Sequence, residues 1–247
     1  MTKLIPALTA SAALAVTPIA ATAQSDIDWA YTDGATPENW GSDNPAYVAC
    51  DGGKMQSPIE LSDNNAFGEV NVATSYGIAD GTMALGTHKV QVNAPQGMGM
   101  ISGDIMFNLV QLHFHTPSEH TIDGERFPLT GHFVHATPDG SMFGVLGIMF
   151  EEGAANPALQ SIIDAMPRGD GGSVSVDFGA LVPADVDVYR YQGSLTTPPC
   201  SENINWHVVE QPVEASAAQI AAFEQALGYS ARSIQPRNNR LLVAPAD

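Results

Sequence analysis

The chain has 247 residues, with 9 basic against 27 acidic side chains and a formal net charge of −18. That length suits one large domain or two small ones, and an apolar fraction of 44% argues against both a disordered chain and a membrane protein. The negative field repels nucleic acid and anionic lipid, so neither is an expected partner, and it favours solubility in a salty medium where repulsion is screened.

Residues 1–23 read as a secretory signal peptide. Lys3 supplies the positive start, an apolar run covers 4–20, and Ala21-Thr22-Ala23 is an A-x-A cleavage site. Pro6 and Pro18 in a short, weakly apolar run argue against an uncleaved anchor. The mature chain is expected to start near Gln24, to form one domain over 24–247, and to work in the periplasm or outside the cell. Export makes a disulfide the default for the two cysteines, Cys50 and Cys200, with two buried free thiols as the alternative. A bridge would close a loop of about 150 residues and contribute roughly 5 kcal/mol in the chain-entropy model.

Strand-like runs bounded by Gly, Asn, Asp and Pro dominate the rest: 89–93, 105–115, 130–136, 143–150 and 205–210. Helical patterns cover 157–165 and 216–228, the second ending on Gly228. The expected fold is a β-rich α+β single domain, with a central, mostly antiparallel twisted sheet and peripheral short helices.

The chemistry concentrates in Gln111-Leu112-His113-Phe114-His115. Strand side chains alternate in direction, so Gln111, His113 and His115 share one face while Leu112 and Phe114 take the other. His132 follows after turn signals at Pro117, Asp123-Gly124 and Pro128, and an antiparallel return would set it beside the first pair. Three histidines converging from two strands make an open tetrahedral site with water as fourth ligand. Spacing alone is compatible with zinc, copper or nickel, and with three histidines bonded only to their neighbours.

The run from Gln111 to Thr121, with Thr116-Pro117-Ser118-Glu119-His120 inside it, and Gly131-His132-Phe133-Val134-His135 resemble the core signature of the α-carbonic anhydrases, bacterial exported type. Trp29-Ala30-Tyr31, Gln56-Ser57-Pro58-Ile59, Val145-Leu146-Gly147-Ile148, the loop from Gly193 to Cys200, and Gln235-Pro236 with Asn239-Arg240 extend the resemblance over nearly the whole mature chain. The resemblance implies Zn2+ on His113, His115 and His132, and reversible hydration of carbon dioxide to bicarbonate and a proton by zinc-bound hydroxide. It implies that Thr196 accepts a hydrogen bond from that hydroxide and donates to Glu119. Val134, Val145, Leu195, Ile204 and Trp206 would form the apolar carbon dioxide pocket, with Thr197 lining the bicarbonate position. His88 matches the proton shuttle, with Gly86 and Gln91 departing from the usual asparagines beside it. Cys50 and Cys200 fall where bacterial members form a disulfide, and those members also point to a homodimer. Gln111 would orient His113, whereas Thr130 replaces the glutamate that usually accepts from the third ligand. His120 and His135 match structural histidines, and His207 reads as structural or solvated. Two other functions compete: a catalytically silent binding domain, disfavoured because all three histidines remain with Thr196 and Glu119, and a zinc esterase, for which no added base is evident.

Overall fold

The computed structural model describes residues 29–32, 36–62, 66–68 and 70–246; the 1–23 segment expected to direct export lies outside them. Two short helices, α1 (Trp40–Asp43) and α2 (Val48–Gly52), precede strands β1 (Glu60–Leu61), β2 (Ala66–Phe67), β3 (Val72–Thr74), β4 (Ile78–Gly86), β5 (Lys89–Asn93), β6 (Gly99–Ser102), β7 (Ile105–His115), β8 (Thr121–Ile122), β9 (Leu129–Ala136) and β10 (Phe143–Glu152). Helix α3 (Pro157–Ala165) leads to β11 (Ser173–Asp177), β12 (Val188–Ser194), β13 (Glu202–Val209) and β14 (Val213–Ala215); α4 (Ala217–Leu227) precedes β15 (Leu242–Ala244).

The large sheet runs β11-β4-β5-β7-β9-β10-β13-β12-β15-β2. Pairing is antiparallel from β11 through β10, as expected. The β10–β13 pair at the centre is parallel, which makes the sheet mixed. All five strands and both helices read from the sequence are present. Helix α4 starts where Ser216 Oγ accepts from the Gln219 amide and the Gln219 side chain returns the bond to Ser216 N. It stops at Gly228, whose φ of +60° favours glycine.

Strand β4 was not expected, because Asp80-Gly81 reads as a turn. The glycine has another cause. A Cβ at Gly81 would lie 2.7 Å from the Asn93 carbonyl oxygen on β5, so close approach of two backbones requires it.

The pleat separates two cores. Leu112 and Phe114 of β7 pack with Phe133 of β9 and with Leu146, Ile148 and Phe150 of β10, under α3 and α4. The Phe114 and Phe223 rings lie 4.5 Å apart, tying α4 to this layer. On the other face Val145, Met149, Tyr191, Trp206 and Val208 form a second core. Gln111, His113 and His115 therefore project away from the helix-covered layer.

Cys50 on α2 is joined to Cys200 in the loop after β12, across a sequence separation of 150. Both pack with Trp29, Tyr31 and Trp40. Cys50→Ser or Cys200→Ser is expected to destabilise the fold by about 2–5 kcal/mol, read as a lower thermal midpoint, because the unfolded chain regains a long loop. Intact protein should show no free thiol by mass spectrometry. An unchanged midpoint would mean that the loop is braced by packing alone.

Candidate metal centre

His113 stands directly opposite His132 in the β7–β9 register, and His115 lies two residues further along the same face of β7. One ligand atom from each of the three histidines falls within 4.8 Å of the others. Two of the rings are held from behind. His113 Nδ1 is 2.8 Å from Gln111 Oε1, and His115 Nδ1 is 2.6 Å from the Ser230 carbonyl oxygen. A carbonyl only accepts, so His115 donates to it from Nδ1 and turns Nε2 toward Glu119. That Nε2 is buried without a hydrogen-bond partner. Burial, then the neighbouring His115 imidazole, holds His113 and His132 well below the usual histidine range, so both stay neutral.

Glu119 is fully buried beside them. Its Oε1 accepts from the Arg232 backbone N–H at 3.0 Å. Its Oε2 lies 3.4 Å from His115 Nε2 and 3.8 Å from His132 Nδ1, and has no hydrogen-bond partner. Because Nδ1 of His132 faces the same oxygen as Nε2 of His115, Nδ1 is the atom that shares the site. Arg232 is itself buried, donating to Gln56 Oε1, Ser57 O and Cys50 O beneath the Trp40 ring. Burial lowers its guanidinium to about 10, which leaves it charged at neutral pH.

A cavity of about 150 Å³ opens from His113 and His115 past Gln111, Gln91, Thr197 and His88. Thr196 is buried. Val145, Ile204 and Trp206 lie in one cluster with the partly buried Val134 and Leu195, and the Trp206 ring stands 4.9 Å from that of His132. The structure thus gathers the expected apolar residues beside the histidines. His88 occupies the turn between β4 and β5 at φ 55°, with Nδ1 2.7 Å from the Leu227 carbonyl and its ring edge-on to Tyr31.

One expected contact differs. Thr130 lies on the His132 face, but its hydroxyl donates to the Ile148 carbonyl at 3.0 Å. It does not reach His132, whose Nε2 is buried without a hydrogen-bond partner. The hydroxyl crosses to the neighbouring β10 instead, where the Ile148 carbonyl takes its proton. Three orienting groups escaped the sequence reading: the Ser230 and Leu227 carbonyls and the Arg232 amide. Backbone groups carry no residue signature. His120, His135 and His207 are buried and bond Tyr191, Tyr76 and Ser102 respectively, so His207 is structural rather than solvated.

Three imidazoles, each turning one nitrogen to a common point beside a buried unpartnered carboxylate oxygen, form a donor set that fits a divalent transition metal and leaves one side open. A mixed sheet carrying such a centre defines a class of metal-dependent enzyme. Residues 35–244 match the profile of the eukaryotic-type carbonic anhydrases. A carbonic anhydrase of Pectobacterium carotovorum is 38% identical over 230 residues, spanning 90% of this chain and 93% of that one. The α-carbonic anhydrase structure of Photobacterium profundum superposes with a TM-score of 0.80 at 33% identity, covering 87% of this chain and all of that one. That of Thermovibrio ammonificans, in complex with the inhibitor sulfanilamide, gives 0.79 at 35% identity over 89% of this chain and 100% of that one. The chain belongs to the α-carbonic anhydrase family.

The buried histidines away from the centre set an acid limit. Burial lowers His135 to about 4 and His207 to about 3, from 6.5. The unfolded chain protonates these rings first, so their contribution is complete above about pH 6.5 and is lost as pH falls toward their folded values. The unfolding free energy from urea titrations should drop between about pH 6.5 and 4, by about 1.4 kcal/mol per pH unit for each ring. His207→Gln should flatten the profile; an equally steep profile in that variant would assign the loss to other groups.

Proposed function

We propose that this protein catalyses the reversible hydration of carbon dioxide to bicarbonate and a proton, at a zinc ion held by His113, His115 and His132. The observation that carries the reading is the convergence of three histidine rings, with ligand atoms within 4.8 Å, beside Glu119, two of them lining an open cavity. When bound, zinc acts as a Lewis acid that brings the pKa of a coordinated water to about 7; carbonic anhydrase is the standard example.

The chain's own groups do the rest. Gln111 and the Ser230 carbonyl fix two ligand rings as Nδ1–H tautomers, aiming their lone pairs at one point. Glu119, anchored through Oε1, keeps Oε2 to accept from the Thr196 hydroxyl, and Thr196 in turn accepts from the nucleophile and orients it. Val134, Val145, Leu195, Ile204 and Trp206 offer carbon dioxide an apolar surface, and Thr197 bonds the bicarbonate product. His88, at the cavity wall, takes the released proton on Nε2, because Nδ1 is committed to the Leu227 carbonyl. Residues 1–23 direct export and the domain occupies 24–247 in the periplasm or outside the cell, a placement that the Cys50–Cys200 disulfide supports.

Purified protein should contain about one zinc per chain. Removal by chelator should abolish carbon dioxide hydration in stopped flow, and added zinc should restore it. Full activity of metal-free protein would overturn the reading.

His88→Ala is expected to lower kcat about tenfold or more in dilute bulky buffer while leaving kcat/KM for carbon dioxide nearly unchanged. Added imidazole should recover much of the loss. Unchanged kcat would leave the zinc chemistry standing and move proton release to another path.

A further inference from the structure

His132 and His120 present an arrangement that the reaction does not use. The His132 ring turns Nδ1 toward Glu119, which leaves Nε2 on the far side, buried without a partner. With Nδ1 as the metal-facing atom, Nε2 bears the ring proton.

The tautomer of His120 follows from a hydrogen-bonded chain. The Ser194 backbone N–H can only donate, and it does so to Ser57 Oγ at 3.0 Å. Ser57 Oγ and the Tyr191 hydroxyl lie 2.7 Å apart, and Tyr191 lies 2.7 Å from His120 Nε2. The direction that satisfies both hydroxyls runs from Ser57 to Tyr191 to His120 Nε2. His120 therefore accepts at Nε2 and carries its proton on Nδ1, which is also buried without a partner. Both rings are at most 1% exposed.

Two buried N–H donors thus lack acceptors in one neighbourhood. The rings are 6.3 Å apart, edge to face, and both lie against Trp206. Gly147 keeps the wall beside them thin: a Cβ there would make ordinary contact, 3.8 Å from His132 Cδ2, the carbon bonded to Nε2, and 3.6 Å from Val208 Cγ2. The family's usual glutamate is absent at position 130, and the Thr130 hydroxyl is committed to Ile148.

We propose that a small monovalent anion of halide size binds between His132 Nε2 and His120 Nδ1 and stands in for the absent carboxylate. A halide only accepts, which matches two donors facing a wall of Val208 and Trp206. A water accepting from both rings would leave its own hydrogens against apolar carbon. Burying an anion is costly unless a cation compensates, and the metal on the opposite side of His132 supplies that charge. The anion would then raise the basicity of His132 and slow metal loss.

The inference rests on the zinc reading, because zinc fixes the His132 tautomer and supplies the compensating charge, and two measurements separate their failures. Crystals of zinc-loaded protein soaked in bromide should show an anomalous peak between the two rings. Zinc transfer from the holoenzyme to a chelating dye should be about tenfold slower in chloride than in methanesulfonate at equal ionic strength, the lower end of effects from ligand-orienting partners. Thr130→Glu should lose zinc slowly in both salts. Gly147→Ala, which makes only ordinary contacts, should fold and lose the chloride effect. A bromide peak confined to the open side of the metal, or a water between the rings with salt-independent zinc loss, would overturn the proposal. Purified protein that holds no zinc at His113, His115 and His132 would instead sink the functional reading, whereas zinc held there with no peak between the rings sinks this proposal alone.

Discussion

Antiparallel pairing of β7 with β9 places His113 directly across from His132, and the other features of the site follow from that register. The side-chain period along a strand is two, so a slip of one residue would carry the histidine set into the helix-covered core and bring Leu112 and Phe114 to the cavity. Burial of Leu112, Phe114 and Phe133 on the opposite face resists that slip. A register shift between Leu109 and Gln111 then sets the phase. It lets Phe107 and Leu109 before it and Leu112 and Phe114 after it enter the same core, while alternation keeps Gln111 on the face of His113 and His115, where its amide holds the first ring.

Orientation depends on a second element, the chain leaving α4. Within six residues, the Leu227 carbonyl takes His88, the Gly228 carbonyl takes Thr116 Oγ1, the Ser230 carbonyl takes His115, and the Arg232 amide holds Glu119. The Arg232 side chain then reaches Gln56, Ser57 and Cys50, tying this segment to the disulfide. One irregular segment therefore aligns residues from three separate parts of the sequence. Its position is set by the Ser216–Gln219 capping box at one end of α4 and Gly228 at the other, so helix termini control the aim of groups well outside the helix.

Much of this was legible beforehand. His-x-His flanked by Leu112 and Phe114 announces a strand with two distinct faces, and turn residues before His132 announce its return. The resemblance assigned Cys50 to Cys200, and they are joined. Strands β4 and β12 were missed because Gly81 and Gly193 look like turn residues, although each marks a close approach that a side chain would block. Ser230 was illegible because its carbonyl, not its hydroxyl, meets His115. Thr130 was read as a departure from the family pattern, but its hydroxyl partner depends on the distance to the Ile148 carbonyl, which only the folded sheet sets.

The departure at Thr130 changes the electrostatics of the whole centre. Gln111 and the Ser230 carbonyl are neutral acceptors, and His132 has no protein acceptor at all. Glu119 is thus the one carboxylate buried against the ligand rings among the described residues. Neutral partners polarise an imidazole less than an anionic one does, so the ligands donate less charge to a bound cation. More of the cation's charge then remains to acidify a coordinated water, at the expense of how tightly the cation is held. A family glutamate would strike that balance permanently. An exchangeable anion at the same nitrogen would leave it to the salt around the protein, which is also what screens the self-repulsion of a chain with a net charge of −18.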